Sequence, residues 1–305
     1  MKILLINHFP LSGSGSGVYT KNVAKSLQAK GHEVCVIMPE NTKKYEVLDD
    51  IKMHPVFFTD KEKIENALPF NFPCFTTHPR STTSFYELSD LEIKQYDNAF
   101  EKAIKEEVET FKPDIIHAQH IWILADIASR FNIPLVITAH GTDLMGYNKD
   151  SRFHKYCNNS VKKCKNIITI SKDSNDLVEK TYPTATKKAV LIKNGFDTNI
   201  FYPQNYNKEK ILNELGINEN YNKVVSFVGK LTNFKGVDIL LKAVKLYEKN
   251  DILTLIAGDG ELFKSLNELS KELELKNVKF LGNKSHEELR KIYNIADVSI
   301  VPSRR

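Results

Sequence analysis

Short apolar runs that do not alternate with polar residues constrain this chain more than any other feature. They recur at Ile3–Ile6, Val34–Met38, Asp114–His117, Leu135–Thr138, Ile167–Ile170 and Val190–Ile192. A second series follows at Val224–Val228, Leu253–Ala257, Val278–Leu281 and Val298–Val301. A strand with one wet face alternates, whereas a continuous apolar run reads as a strand covered on both faces. Helical stripes lie between the runs. Tyr19, Val23 and Leu27 repeat ahead of Gly31; Tyr96, Phe100, Ile104, Val108 and Phe111 end at Pro113; Val237, Leu240, Leu241 and Val244 form a third stripe. Strand and helix alternating along the chain predict an α/β fold of doubly wound parallel sheets.

Two segments break the rhythm. Leu68–Ser84 carries three prolines and little periodicity, so it reads as a loop within the first domain. Asn194–Tyr206 combines Asn-Gly, Pro and polar residues and reads as a linker, which sets a boundary near residue 202. Two domains, 1–202 and 203–305, also suit a length of 305 residues at roughly 150 per domain. The second half offers four strands against about six in the first. It reaches Arg305 directly after a strand, where the next loop of a parallel sheet would build a ligand crevice.

Composition narrows the function classes. Hydrophobic residues at 41% and charged residues at 27% suit a folded globular chain. No apolar run approaches the roughly 20 residues of a membrane span. Met1–Ile6 is too short for a secretory signal core, so the expected location is the cytoplasm. Cys35, Cys74, Cys157 and Cys164 have no zinc-ligand spacing and read as reduced structural thiols. A net charge of +5 fits an anionic small-molecule substrate and does not point to nucleic acid. One basic stretch, Lys149–Lys165, interleaves Arg152, Lys155 and Lys162 with Phe153 and Tyr156. It reads either as a solvated helix face or as peripheral contact with the inner face of a membrane.

Three groups of residues carry chemistry. Ser12–Gly17 holds Gly13, Gly15 and Gly17 ahead of a helix, where backbone N–H groups and the helix dipole favour a phosphate. The same loop, with Glu40 as a ribose acid, would serve a nicotinamide dinucleotide. Against that reading, Asn7–Ser12 intervenes between the strand and the glycines. Gly229–Gly236 (GKLTNFKG) leads from strand to helix, and Lys230 and Lys235 can converge on one anion. In a reaction that releases a diphosphate they would neutralise charge as it develops. His117, His120 and His140 stand at strand C-terminal ends, with Asp143 close by, and such ends line the crevice of a parallel sheet. No partner lies at metal-ligand spacing, so no metal is expected.

Together these segments resemble the retaining glycosyltransferase family 4, of GT-B architecture. The likeness runs through Lys30–Val34 (KGHEV), Pro113–Ala118 (PDIIHA), Thr138–Gly141 (TAHG) and Ile168–Ser171 (ITIS). It continues through Ile192–Asp197 (IKNGFD), Phe227–Lys230 (FVGK) with Lys235-Gly236, Ile256–Glu261 (IAGDGE) and Phe280–Gly282 (FLG). The resemblance implies two Rossmann-like domains facing a cleft, the second incomplete here. It implies transfer of a sugar from a nucleotide diphosphate sugar to a glycan or lipid-linked acceptor, with retention and without a cofactor.

By this likeness the donor lies mainly on the second domain and the acceptor on the first. Gly15 and Gly17 approach the diphosphate, Lys230 and Lys235 clamp it, and His140 contacts the donor sugar. Gly229, Gly258 and Asn283 lie near the nucleotide, while His117, His120 and Asp143 line the acceptor side. Two departures stand out. Lys230 occupies a position that is commonly Arg in the family, keeping the charge without the planar fork. The family's paired-glutamate segment should follow Pro302-Ser303, so the 305-residue chain is expected to turn over weakly or not at all. The rival readings are a NAD-dependent oxidoreductase, a nucleotide-sugar epimerase, and a non-catalytic sugar- or partner-binding fragment.

Overall fold

A computed structural model describes residues 1–60, 63–248 and 250–304. The chain divides into two compact units, Met1–Asn194 and Gly195–Arg305. Each is built on one parallel sheet.

The first sheet contains β1 (Lys2–Ile6), β2 (Glu33–Glu40), β3 (Lys52–Phe57), β4 (Ile115–Gln119), β5 (Leu135–Ala139), β6 (Asn166–Thr169) and β7 (Ala189–Leu191). Their order is β3-β2-β1-β4-β5-β6-β7. Successive side chains of β1 enter different cores: Leu4 and Ile6 join Phe58, Tyr96 and Phe100, while Ile3 and Leu5 join Ala24 and Met38. Both faces are therefore dry, which is why the strands read as unbroken apolar runs.

β3 departs from the sequence expectation of about six strands. Lys52-Met-His-Pro-Val-Phe57 mixes polar residues with a proline, yet it pairs with β2 along the sheet edge. Pro55 is tolerated there because an edge strand need donate hydrogen bonds on one side only. The Leu68–Ser84 segment is an irregular loop with isolated bridges from Cys74 to Ser84 and from His78 to Ser81. Within the basic stretch, the helix is His154–Lys163. Arg152, just before it, is turned inward to Asp150 and the carbonyls of Tyr86 and Leu88.

The second sheet contains β8 (Lys223–Val228), β9 (Ile252–Ala257), β10 (Val278–Gly282) and β11 (Val298–Ser299), ordered β10-β9-β8-β11. It too has a core on each face, with Leu253 and Leu255 in one and Phe227 and Ile256 in the other. β11 is shorter than the expected Val298–Val301. The segment 194–206 is tied into this unit: Gln204 N–H donates to Asn294 Oδ1 at 2.7 Å, and Asn294 Nδ2 donates to the Tyr202 carbonyl at 3.1 Å. Residue 202 accordingly lies inside the second unit. Among the described residues, no helix is long and apolar enough to cross a membrane.

In both sheets the chain reverses direction beside the first strand of the unit, between β1 and β4 and between β8 and β11. Crevices outside the carboxyl ends of strands at such switch points are where parallel sheets bind ligands.

Candidate active site

At the first switch point, β1 runs into Asn7 and His8, β4 into His120, and β5 into His140. The register that pairs Gln119 with Thr138 brings these ends level. His117 Nε2 and Thr138 Oγ1 share a hydrogen bond of 2.7 Å, and His8 Nδ1 and the Tyr96 hydroxyl share another of 2.7 Å. The His120 and His140 rings lie 4.8 Å apart, and the edge of Tyr19 meets His140 at 5.1 Å. Tyr19 stands on the helix Gly15–Ala29, so the helix after the Gly-rich loop packs on the histidine at the end of β5.

These imidazoles are neutral at physiological pH. Burial lowers His8 to about 3 and His117 to about 4, and drives His120 well below its usual range. Burial, aided by His117, lowers His140 to about 4. The group can exchange hydrogen bonds with hydroxyls but supplies no cation.

Asp143 and His120, which the resemblance puts on the acceptor side, occupy interior positions. Both are buried. Asp143 accepts the N–H groups of Ile121, His140 and Gly141 at 2.8, 3.2 and 2.8 Å, closing the turn that carries His140. Burial pushes its carboxyl up to about 6, against the pull of those backbone donors. His120 sits at φ +75, a left-handed conformation that a side-chain-bearing residue seldom adopts. Its N–H donates to the Thr138 carbonyl at 2.8 Å, which holds the chain as it leaves the sheet.

The Gly-rich loop is more closely packed than a free phosphate loop. Gly17 N–H donates to Ser14 Oγ at 3.0 Å, the N-cap bond of the helix. A Cβ at Gly17 would lie 2.1 Å from the Pro10 carbonyl oxygen, whereas one at Gly15 would meet nothing within 4 Å. The sequence explains Gly17 by phosphate approach; the fold adds that only glycine lets the helix lie against Pro10.

Glu40, the acid required by the dinucleotide reading, is bound by Arg80 at 2.8 and 3.3 Å and is buried. A ribose-binding carboxylate needs free lone pairs at a cleft, so this arrangement removes the residue on which that reading depends.

At the second switch point, Gly229 N–H donates to the Ala257 carbonyl at 3.0 Å and Leu231 N–H to the Asp259 carbonyl at 2.9 Å. The two turns are in backbone contact. A Cβ at Gly258 would lie 1.9 Å from the Gly229 oxygen, and one at Gly236 would lie 2.1 Å from the Pro302 oxygen. Gly258 and Gly236 also adopt φ of +140 and +64, so glycine is required twice over. Lys230 and Lys235 are exposed on this rigid platform, and Asn283 is exposed just past β10. Sequence reasoning overlooked Tyr19, Gln119 and the Gly236–Pro302 approach, because each acts through a neighbour distant in the chain.

Two family models match: Glycosyltransferase Family 4 over residues 13–200 and Glycosyl transferases group 1 over residues 207–305. An uncharacterized glycosyltransferase of Methanocaldococcus jannaschii is 27% identical, across 99% of this chain and 75% of its own length. The D-inositol 3-phosphate glycosyltransferase of Corynebacterium diphtheriae is 30% identical across 62% of this chain, which spans 49% of that protein. The solved structure of Anabaena HepE in complex with UDP and glucose has the same fold. Its TM-score is 0.69 at 18% identity, across 98% of this chain and 73% of that one.

Proposed function

The chain belongs to glycosyltransferase family 4, in the GT-B fold, and we propose that it transfers a sugar, with retention, from a nucleotide diphosphate sugar to a glycan or lipid-linked acceptor. The observation that carries the donor half is the second switch point. Two exposed lysines, Lys230 and Lys235, rise from turns held together backbone to backbone through Gly229, Gly236 and Gly258. Preorganised cations stabilise a leaving diphosphate without reorganising as its charge grows. HepE, whose structure holds UDP and glucose, makes a uridine nucleotide the first donor to test.

In this reading the second unit takes the nucleotide, near Gly258 and Asn283, and the first takes the acceptor. His140 receives a hydroxyl of the donor sugar, while His117, His120 and Asp143 support it from within. Among the described residues, the carboxylate at the first-unit cluster is that of Asp143, whose oxygens are occupied by backbone donors. The reading is a front-face displacement, the departing phosphate oxygen taking the acceptor proton as the new glycosidic bond forms on the same face.

Calorimetric titration with UDP-, GDP- and ADP-sugars tests this, with NAD as competitor. One sugar nucleotide should bind, and Lys230→Ala or Lys235→Ala should weaken it about 10- to 100-fold, the range of one lost charge-assisted phosphate contact. Binding of NAD alone would sink the proposal.

A further inference from the structure

Gln119 ends β4 and is buried, with one side-chain hydrogen bond to the protein: His140 Nε2–H donates to its Oε1 at 2.9 Å. The amide nitrogen on the other side is enclosed and has no partner among the described residues. A buried amide donor without a partner is destabilising, whereas Leu or Met would fill the same space without that cost. The oxygen directed at His140 is what the position gains from being an amide.

His140 is otherwise held on every side that matters for its orientation. Its backbone N–H is fixed by Asp143, and the rings of Tyr19 and His120 pack on its imidazole. Its Nδ1 has no hydrogen bond among the described residues and is not one of the enclosed polar atoms, so it reaches solvent. A neutral imidazole carries one N–H. With that proton committed to Gln119, the outward nitrogen is a lone pair.

We propose that Gln119 is a positioning residue that fixes His140 as its Nε2–H tautomer, so that Nδ1 accepts a hydrogen bond from a sugar hydroxyl. A lone pair there takes an O–H and rejects a phosphate or carboxylate oxygen, so the residue selects for a hydroxyl-bearing substituent on the sugar. The identity of the sugar as donor rests on the function proposed above; the tautomer does not.

The test is a two-bond 1H–15N correlation spectrum of the full chain with 15N-labelled histidines, His140 being assigned by His140→Asn. At pH 7.5 the free protein should show His140 protonated on Nε2; protonation on Nδ1, which the opposite amide orientation would produce, overturns the proposal. Gln119→Glu keeps an acceptor oxygen and should retain this tautomer while raising the pKa of His140 by about one unit or more, as a carboxylate partner does. Gln119→Leu should lose the preference with Trp122 fluorescence still native. Equal spectra for the two variants would mean that Gln119 merely fills space. UDP-glucose should shift the Nδ1 resonance, and binding without such a shift removes the hydroxyl role. If UDP-glucose does not bind, the sugar nucleotide selected by the calorimetric titration takes its place; if none binds, the donor reading and the hydroxyl role fall together, and the free-protein spectrum still decides the tautomer.

Discussion

Gly17→Ala separates the packing role of the Gly-rich loop from its proposed role toward phosphate. The added methyl would sit 2.1 Å from the Pro10 carbonyl oxygen and 2.9 Å from Ser14 Oγ. Carbon contacts settle at about 3.5 Å, so the helix Gly15–Ala29 must retreat by about 1 Å from the Asn7–Ser12 turn. Overpacking of this kind costs about 1–3 kcal/mol. Loss of the Ser14 cap adds about 1 kcal/mol, giving about 2–4 kcal/mol in all. The retreat also draws Tyr19 away from His140. Trp122 is the only tryptophan and is buried in the first unit, so urea unfolding followed by its fluorescence reports on this unit alone. Gly15→Ala is the control: its methyl meets nothing within 4 Å, and the expected change is within about 0.5 kcal/mol. If Gly17→Ala leaves the Trp122 transition where Gly15→Ala leaves it, the packing argument is refuted and phosphate approach alone explains the glycine.

Three further outcomes are expected. Histidines whose folded pKa lies below about 6.5 stay neutral while the unfolded chain takes up protons, so their contribution is intact above pH 6.5 and lost as pH falls from there toward about 4. Each of His8, His117, His120 and His140 removes about 1.4 kcal/mol per pH unit in that window. Asp143, raised to about 6, acts in the opposite sense and offsets part of one of them. Urea unfolding by Trp122 fluorescence should therefore show the first unit about 4–5 kcal/mol less stable at pH 5.5 than at 7.5; equal midpoints would mean that the imidazoles are wetter than the packing implies. Arg80→Met strands the buried Glu40 carboxylate and should cost about 2–4 kcal/mol in the same assay, with Glu40→Gln in that background restoring much of it. Gly258→Ala forces the Gly229 turn aside and should speed amide exchange in β8 and β9 while weakening sugar-nucleotide binding about as much as Lys230→Ala does. Unchanged exchange would show that the two turns are not in contact.

The fold class was legible because burial on both faces of a parallel sheet leaves a linear mark, an unbroken apolar run, although two of the ten runs, at the edge strands β7 and β11, are exposed. β3 left no such mark: an edge strand tolerates polar residues and Pro55, so Lys52–Phe57 reads as loop until its pairing with β2 is seen. Of the candidate site, the sequence shows residue types and their places after strands. Glycines and lysines after a strand, and histidines at strand ends, name an anion platform and a polar crevice because strand ends are where a parallel sheet exposes side chains. Their division of labour was not legible. That Asp143 is a turn clasp, that Glu40 belongs to Arg80, and that Gln119 holds His140 depend on side chains brought together from separate strands and loops. Periodicity and burial act along the chain, so the sheets and the residue types at their carboxyl ends can be read from the sequence alone. Which of those residues face solvent and which are consumed in holding the others depends on strand register and loop packing, which bring together neighbours far apart in the chain.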